Sequence, residues 1–314
     1  MRIFLAGATG FIGSHTLRAL TARGHQVTCL VRRSGRSSAE WEHVTRRLAA
    51  IPGTQVAVGD WTNAATWCDA VAGHDAVVNA VGIIRETRRA RFDVVQTSAP
   101  IALFEAAAKA AACKIVQLSA LGADTGARSA FHRSKRAADE HLARLGVPYV
   151  VLRPSFVYGP GDHSMAFFAR LARWPLAPVP GDGRTLLQPV YVADLVSAIV
   201  QAVERDDLAA QVVDVGGAQV LTFAALLDCL ARAEGKTRGA RKLHIAWPLV
   251  ALAAAGTDLL GGHGPITRDE LGMLRRAMPV DLAPFVALFG FVPRPFSEGV
   301  LLRRDAVECR AEAQ

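Results

Sequence analysis

The chain opens on Met1-Arg-Ile-Phe-Leu-Ala and runs without interruption into Gly7-Ala-Thr-Gly10-Phe-Ile-Gly13. Arg2 to Ala6 cluster apolar residues as a buried parallel strand does. Phe11 to Leu20 carry helical spacing up to a stop at Gly24. A strand that feeds a helix through so short a turn leaves room for few residue types. Gly7 allows the tight turn, Gly10 lets backbone approach a pyrophosphate, and Gly13 lets the helix pack on the strand. The start of the helix then presents N–H groups and a positive dipole end to phosphates. An ordinary strand–helix turn would use some of the same glycines. Strand, glycines and helix agree here, so a bound dinucleotide is expected, lined by Gly7, Thr9, Gly10, Phe11, Ile12 and Gly13.

Apolar β-rich segments then alternate with helical ones. Strands are expected at Gln26–Val31, Val56–Val58, Ala76–Asn79, Lys114–Leu118 and Tyr149–Leu152, and helices at Phe92–Ala112 and Ser134–Leu145. This rhythm predicts an α/β fold, a Rossmann-type doubly wound parallel sheet. Past Arg153-Pro154 it loosens. The stretch from Trp174 to Gly183 is rich in proline and glycine and reads as a loop. Val190–Val203 is helical again, Gln211–Val215 is a late strand, and Thr222 is an N-cap candidate for a helix to Ala233. The expected organisation is a discontinuous nucleotide domain (1–155 and 188–218) with a smaller, helix-rich C-terminal substrate-side domain (156–187 and 219–314).

Hydrophobic residues make up 51% of the 314, and the formal net charge of +8 favours anionic ligands. Nucleic acid is not expected, because the arginines are scattered and only five Trp and three Tyr could serve as stacking platforms. Cys29, Cys68, Cys113, Cys229 and Cys309 show no paired spacing and read as reduced thiols of a cytoplasmic protein, with no metal site. No leader peptide is expected, since the apolar start is consumed by the glycine motif. Ile245 to Leu260 is apolar but too short to span a bilayer, and reads as a packed or interfacial helix.

Ligands of such sheets lie at the carboxyl ends of the strands. After the second strand an acidic residue would hydrogen-bond a ribose 2′-hydroxyl and select NAD(H). This chain has Val31-Arg32-Arg33-Ser34 instead. Two guanidiniums suit a 2′-phosphate, so NADP(H) is favoured over NAD(H), with a solvated basic loop as the alternative. Asp60 and Trp61 close the third strand, where a carboxylate can accept from the adenine amino group. Asn79, Ala80 and Val81 close the fourth with small residues that let backbone approach the adenosine ribose. Each could equally be a structural turn.

GATGFIG (7–13), GDW (59–61), NAVG (79–82), LSALGAD (118–124), RPSFVYGPGD (153–162) and QPVYVADLVSA (188–198) follow one another in an order that resembles the extended or atypical short-chain dehydrogenase/reductase superfamily, the NAD-dependent epimerase/dehydratase group. Within it, NAVGII, LSALGAD, an Arg-Ser-Lys helix and Pro265–Glu270 are similar to the branch of the dehydrogenase-like accessory subunit of respiratory complex I and its bacterial relatives.

That resemblance implies a Tyr-x-x-x-Lys pair on one helix face, in which the lysine lowers the phenol pKa and orients the nicotinamide ribose. The segment here is Phe131-His132-Arg133-Ser134-Lys135. Lys135 is retained and Phe131 stands where the tyrosine is expected. The resemblance places Pro154 with Lys135 among the cofactor contacts. It puts Ser119 in the region of a substrate-polarising serine, with a strand-end hydroxyl satisfying backbone as the alternative. Substitute proton donors are scarce. Tyr149 reads as core, and Tyr158 lies near the nicotinamide end but reads as structural. His132 is turned about 100° from the site. His163 follows a turn and could face substrate. Arg85, Arg88, Arg89 and Arg91 form the densest basic cluster, either a solvated helix start or a surface for a partner, an anionic substrate or a lipid headgroup.

Two function classes follow. In one, the nucleotide is a structural or redox-sensing ligand in a respiratory or other protein complex. In the other, the chain is an NAD(P)-dependent oxidoreductase or epimerase with a substitute proton donor. The expected location is cytoplasmic, with peripheral contact at the inner membrane face as an added option.

Overall fold

Uninterrupted apolar runs form the middle of the sheet because both of its faces are covered. β1 (Arg2–Ala6) is fully buried from Ile3 to Ala6. A computed structural model describes residues 1–33, 35–110, 114–162, 164–236, 239–259, 264, 266–297 and 300. Ser34, Cys113, His163, Pro265 and Cys309 lie outside the described residues, as do the expected helix ends at Ala112 and Leu260.

After β1 come α1 (Phe11–Ala22), β2 (Gln26–Val31), α2 (Ser38–Ala49), β3 (Thr54–Val58), β4 (Ala76–Asn79), α3 (Ala99–Lys109), β5 (Lys114–Leu118), α4 (Ala130–Arg144) and β6 (Tyr149–Pro154). Then follow β7 (Val157–Tyr158), α5 (Ser164–Arg173), β8 (Ala177–Pro180), β9 (Leu186–Leu187), β10 (Val190–Tyr191), α6 (Val192–Glu204), β11 (Gln211–Val215), β12 (Leu221–Thr222), α7 (Phe223–Ala233), β13 (Lys242–Ile245), α8 (Trp247–Leu259), α9 (Arg268–Arg275) and α10 (Ala283–Phe289). Seven strands form one sheet in the order β11-β6-β5-β4-β1-β2-β3, and the ladders joining β3 through β6 are parallel. This is the Rossmann-type α/β architecture expected from the alternation, with the strand order reversing at β1 and β4.

Two compact units share the chain. The first comprises Met1–Arg153 and Val196–Val213, and the second Pro154–Leu195 and Asp214–Gln314. Phe4, Phe104, Leu103, Ile115, Leu142 and Val151 centre the core of the first. In the second, Tyr158, Met165, Phe223, Leu226, Leu230 and Phe296 pack together.

Several boundaries differ from the sequence reading. The helix expected over 92–112 begins as a wide π-type turn, Asp93–Ser98, and becomes α-helical only at Ala99. Pro100 has no N–H to return to the preceding turn. The helix expected from Ser134 starts at Ala130, because Ser129 accepts from His132 N and caps it. The 190–203 helix is preceded by the short strand β10. The proline-rich stretch expected to be a loop contains β8, which pairs in parallel with β13. Ala177 N donates to Arg241 O and Gly181 N to Ile245 O, so Pro178 and Pro180 fall on the edge that needs no donor. The apolar segment expected from Ile245 becomes a helix only at Trp247. Among the described residues, no helix is long and apolar enough to cross a membrane.

Candidate nucleotide site

The turn between β1 and α1 shows why its glycines are required. Gly7 has φ +90°, and a Cβ there would lie 2.8 Å from the backbone of Ala80. Gly13 faces back onto the turn, where a Cβ would sit 2.0 Å from Gly7 O. On Gly10 a Cβ would meet within 4 Å only Gly7 O, at 3.3 Å. Ala8, Thr9, Phe11 and Ile12 complete the turn and the first residues of α1.

The N-terminus of α1 has no side-chain cap and no acidic residue in its first turn. By contrast, α2, α4, α7 and α9 are capped by Ser37, Ser129, Thr222 and Thr267. The first-turn amides of α1, on Phe11, Ile12 and Gly13, have no carbonyl within the helix to accept them. An anion at that end would be held by the amides and the helix dipole. The turn, the close backbone of Ala80 and the uncapped helix therefore suit a dinucleotide pyrophosphate.

Arg32 and Arg33 follow β2 on the exposed edge of the same strand ends. The Arg33 guanidinium lies 5.8 Å from the centre of the Trp41 ring. Arg36 donates to Arg32 O at 3.1 Å and adds a third cation that sequence reasoning passed over, though it lies in the same basic run.

Asp60 and Trp61 are committed to their own neighbourhood. Asp60 Oδ1 accepts from Thr62 N and Oγ1, and Asp60 O accepts from the indole of Trp67. Trp61 stacks on Trp67 at 5.5 Å and donates to Val95 O. Asn79, fully buried, accepts from Val81 N and donates to Gln117 Oε1 at 2.7 Å. Its side chain shapes the 79–82 turn, and Ala80 N donates to Ala6 O.

α4 carries the second half of the site. Lys135 is buried, and its Nζ donates to Leu118 O at 2.9 Å and Val81 O at 3.1 Å, tying the carboxyl ends of β4 and β5. Burial pulls its pKa down to about 8 against the opposing pull of Asp139. Ser119 Oγ donates to Asp139 Oδ2 at 2.6 Å, so its hydroxyl serves a carboxylate. Arg153 approaches the same oxygen at 3.4 Å, while Asp139 Oδ1 is buried without a hydrogen-bond partner. Burial pushes the Asp139 pKa up to about 6, outweighing Ser119, Arg153 and Lys135. The sequence reading passed over Asp139. Its place one turn beyond Lys135 on the same face was the available signal.

Phe131, half-buried, presents its ring to Phe92 at 5.9 Å and to His132 at 5.2 Å. His132 Nδ1 lies 2.9 Å from Ser129 Oγ. Beneath them, Gln96 links Ile83 N to Ser134 Oγ, which in turn donates to Phe131 O. Arg88 and Arg89 lie in a turn closed by a Thr87–Ala90 bridge, while Arg91 stands at the helix start, its O accepting from Val95 N. Arg91 pairs with Asp93 at 3.3 Å. Pro154 is the last residue of β6, and Tyr158 is buried against Tyr191 and Phe296.

The model of the NAD dependent epimerase/dehydratase family matches residues 3–216. The chain belongs to this family. It is 30% identical over 205 residues to the mitochondrial NADH dehydrogenase (ubiquinone) 1 alpha subcomplex subunit 9 of Mus musculus, covering 64% of this chain and 52% of that protein. It thus spans about half the length of that relative. It is 27% identical over 312 residues to a ceramide reductase of Caulobacter vibrioides, covering 95% of this chain and 88% of that one. The fold is shared with the UDP-glucuronic acid 4-epimerase of Bacillus cereus in complex with UDP-glucuronic acid and NAD. That match has a TM-score of 0.70 at 20% identity and covers 98% and 99% of the two chains.

Proposed function

We propose that this epimerase/dehydratase-family chain binds NADP(H) in preference to NAD(H), and keeps it as a structural or redox-sensing ligand within a larger protein complex. The observation that carries this reading is Phe131, four residues before the buried Lys135, where the family resemblance places a proton-exchanging tyrosine. When bound, the nucleotide supplies a hydride acceptor or donor at its nicotinamide ring. The chain's own residues hold it. The amides of Phe11, Ile12 and Gly13 meet the pyrophosphate, and Arg32 and Arg33 meet the 2′-phosphate. Lys135, with two of its three donors on carbonyls, keeps one for a ribose hydroxyl. Phenylalanine has no proton to exchange, and general acid–base catalysis typically contributes roughly 10²–10⁴-fold. The similarity to a complex I subunit supports the assembly role.

A second reading is favoured by the ceramide reductase similarity, which extends over nearly the whole chain. In it the protein is a reductase whose proton comes from water or from a side chain other than tyrosine. Lys135, with a pKa pulled down to about 8, is the ionisable group best placed on α4.

Mass identification of the nucleotide that co-purifies with the chain tests the proposal. Tightly held, non-exchanging NADP(H) is the expected result. NADPH turnover at ordinary rates with a carbonyl or nucleotide-sugar substrate would overturn the structural role and establish the second reading.

A further inference from the structure

The segment from Trp247 to Leu259 buries one face and leaves the other apolar up to Asp258. Val250, Ala254 and Thr257 face inward, with Val250 and Ala254 packing with Leu271 of α9. On the outer side Leu249, Leu252 and Leu259 are 60%, 71% and 88% exposed. Their spacing of three and seven residues puts them on one stripe. Pro248, Ala251 and Ala253 are also exposed, and no charged residue occurs before Asp258. An exposed helix face ordinarily carries polar residues, so an apolar one marks a contact surface.

Charge decides which surface this is. Arg268 and Arg275 are exposed and both contact the helix, and Arg276, next to Arg275, is exposed as well. Arg275 stacks its guanidinium 5.2 Å from the centre of the Trp247 ring, at the start of α8. Arg268 reaches Asp258 at 3.7 Å, at its end. An apolar stripe with an indole at one end and arginines along its border is the pattern of a helix lying in the headgroup layer. At 13 residues α8 extends about 20 Å, too short to span and suited to lying flat. A second copy of the chain is disfavoured, because a two-fold contact through the stripe would bring the same arginine borders face to face.

We propose that α8 docks this protein onto an anionic membrane surface. Leucines 249, 252 and 259 enter the acyl boundary, and Arg275 and Arg276 meet lipid phosphates. The proposal rests on the α8 surface alone and is independent of what the nucleotide does.

Flotation of the full chain with vesicles tests it, using phosphatidylcholine alone and phosphatidylcholine mixed with phosphatidylglycerol. Expected is strong binding to the mixed vesicles and weak binding to the neutral ones. Leu252→Glu should lower binding by about tenfold or more, the worth of one buried leucine. Leu252→Gln should act in the same direction, and circular dichroism and NADPH binding should be unchanged in both. Arg275→Gln with Arg276→Gln should weaken binding to the anionic vesicles only, and added salt should do the same. The proposal is overturned if the wild-type chain stays in solution with both vesicles, or if the leucine variants bind as well as wild type. It is also overturned if sedimentation shows a dimer that Leu252→Glu dissociates, since the stripe then belongs to a second copy.

Discussion

Gly13 lies directly under the carbonyl of Gly7, so closely that a side-chain carbon on Gly13 would sit 2.0 Å from Gly7 O and 2.6 Å from its carbonyl carbon. Both obstructing atoms are backbone, and they belong to the turn that would hold the pyrophosphate. A methyl group therefore cannot be accommodated by a rotamer change.

Gly13→Ala should cost about 1–3 kcal/mol, as overpacking does. It should also displace the turn enough to weaken NADPH binding. Gly24→Ala is the control. Its φ is +84° but there is open space around it, so it should cost only about 1 kcal/mol and leave the nucleotide affinity alone. Urea unfolding and calorimetric titration with NADPH distinguish the two.

Arg32→Asp with Arg33→Ala should reverse the preference between the two nucleotides. Hydrogen bonds to charged groups contribute about 1.5–3 kcal/mol each, so NADPH affinity should fall by roughly tenfold or more per contact while NADH affinity holds or improves. An unchanged ratio of the two dissociation constants would show that the arginines are a solvated loop.

Phe131→Tyr adds a hydroxyl one helical turn before Lys135. The half-buried ring keeps its contacts with Phe92 and His132. If the absent phenol is what limits proton transfer, NADPH oxidation with a suitable carbonyl substrate should rise by roughly 10²–10⁴-fold. Stopped-flow absorbance with wild type and variant side by side provides the measurement.

Lys135 and Asp139 predict two opposite slopes of stability against pH. Asp139 is raised from 3.8 to about 6, so the folded state binds the extra proton between those values, and stability falls as pH rises through that window. Lys135 is lowered from 10.5 to about 8, so the unfolded state binds the extra proton there, and stability rises with pH between about 8 and 10.5. Asp139→Asn should flatten the acid slope and Lys135→Met the alkaline one. Urea midpoints across the pH range report both.

The order of strands and helices was legible because it rests on local pattern. Ile3 to Ala6, Cys29 to Val31 and Ala76 to Val78 are apolar runs that a sheet covered on both faces demands. The role of Gly13 was legible for the same reason, since its space is set by atoms of the same short turn, whereas the space at Gly7 is set by the backbone of Ala80 and Val81, distant along the chain. Pairing was harder. β8 was hidden by its prolines, since nothing nearby in sequence announces β13, whose carbonyls take up the amides of Ala177 and Gly181.

The sequence by itself determined the alternation, the strand–glycine–helix motif and the basic pair after β2, all readable from composition and spacing over a few residues, while the reading of Phe131 as standing where a tyrosine is expected came from the family resemblance. The tertiary structure alone decided that Ser119 spends its hydrogen on Asp139, that Lys135 bridges the ends of β4 and β5, and that one side of α8 is covered while its leucines are not. The reason is physical. Hydrogen-bond partners, desolvation and exposure depend on atoms distant along the chain, and only folding brings those atoms together.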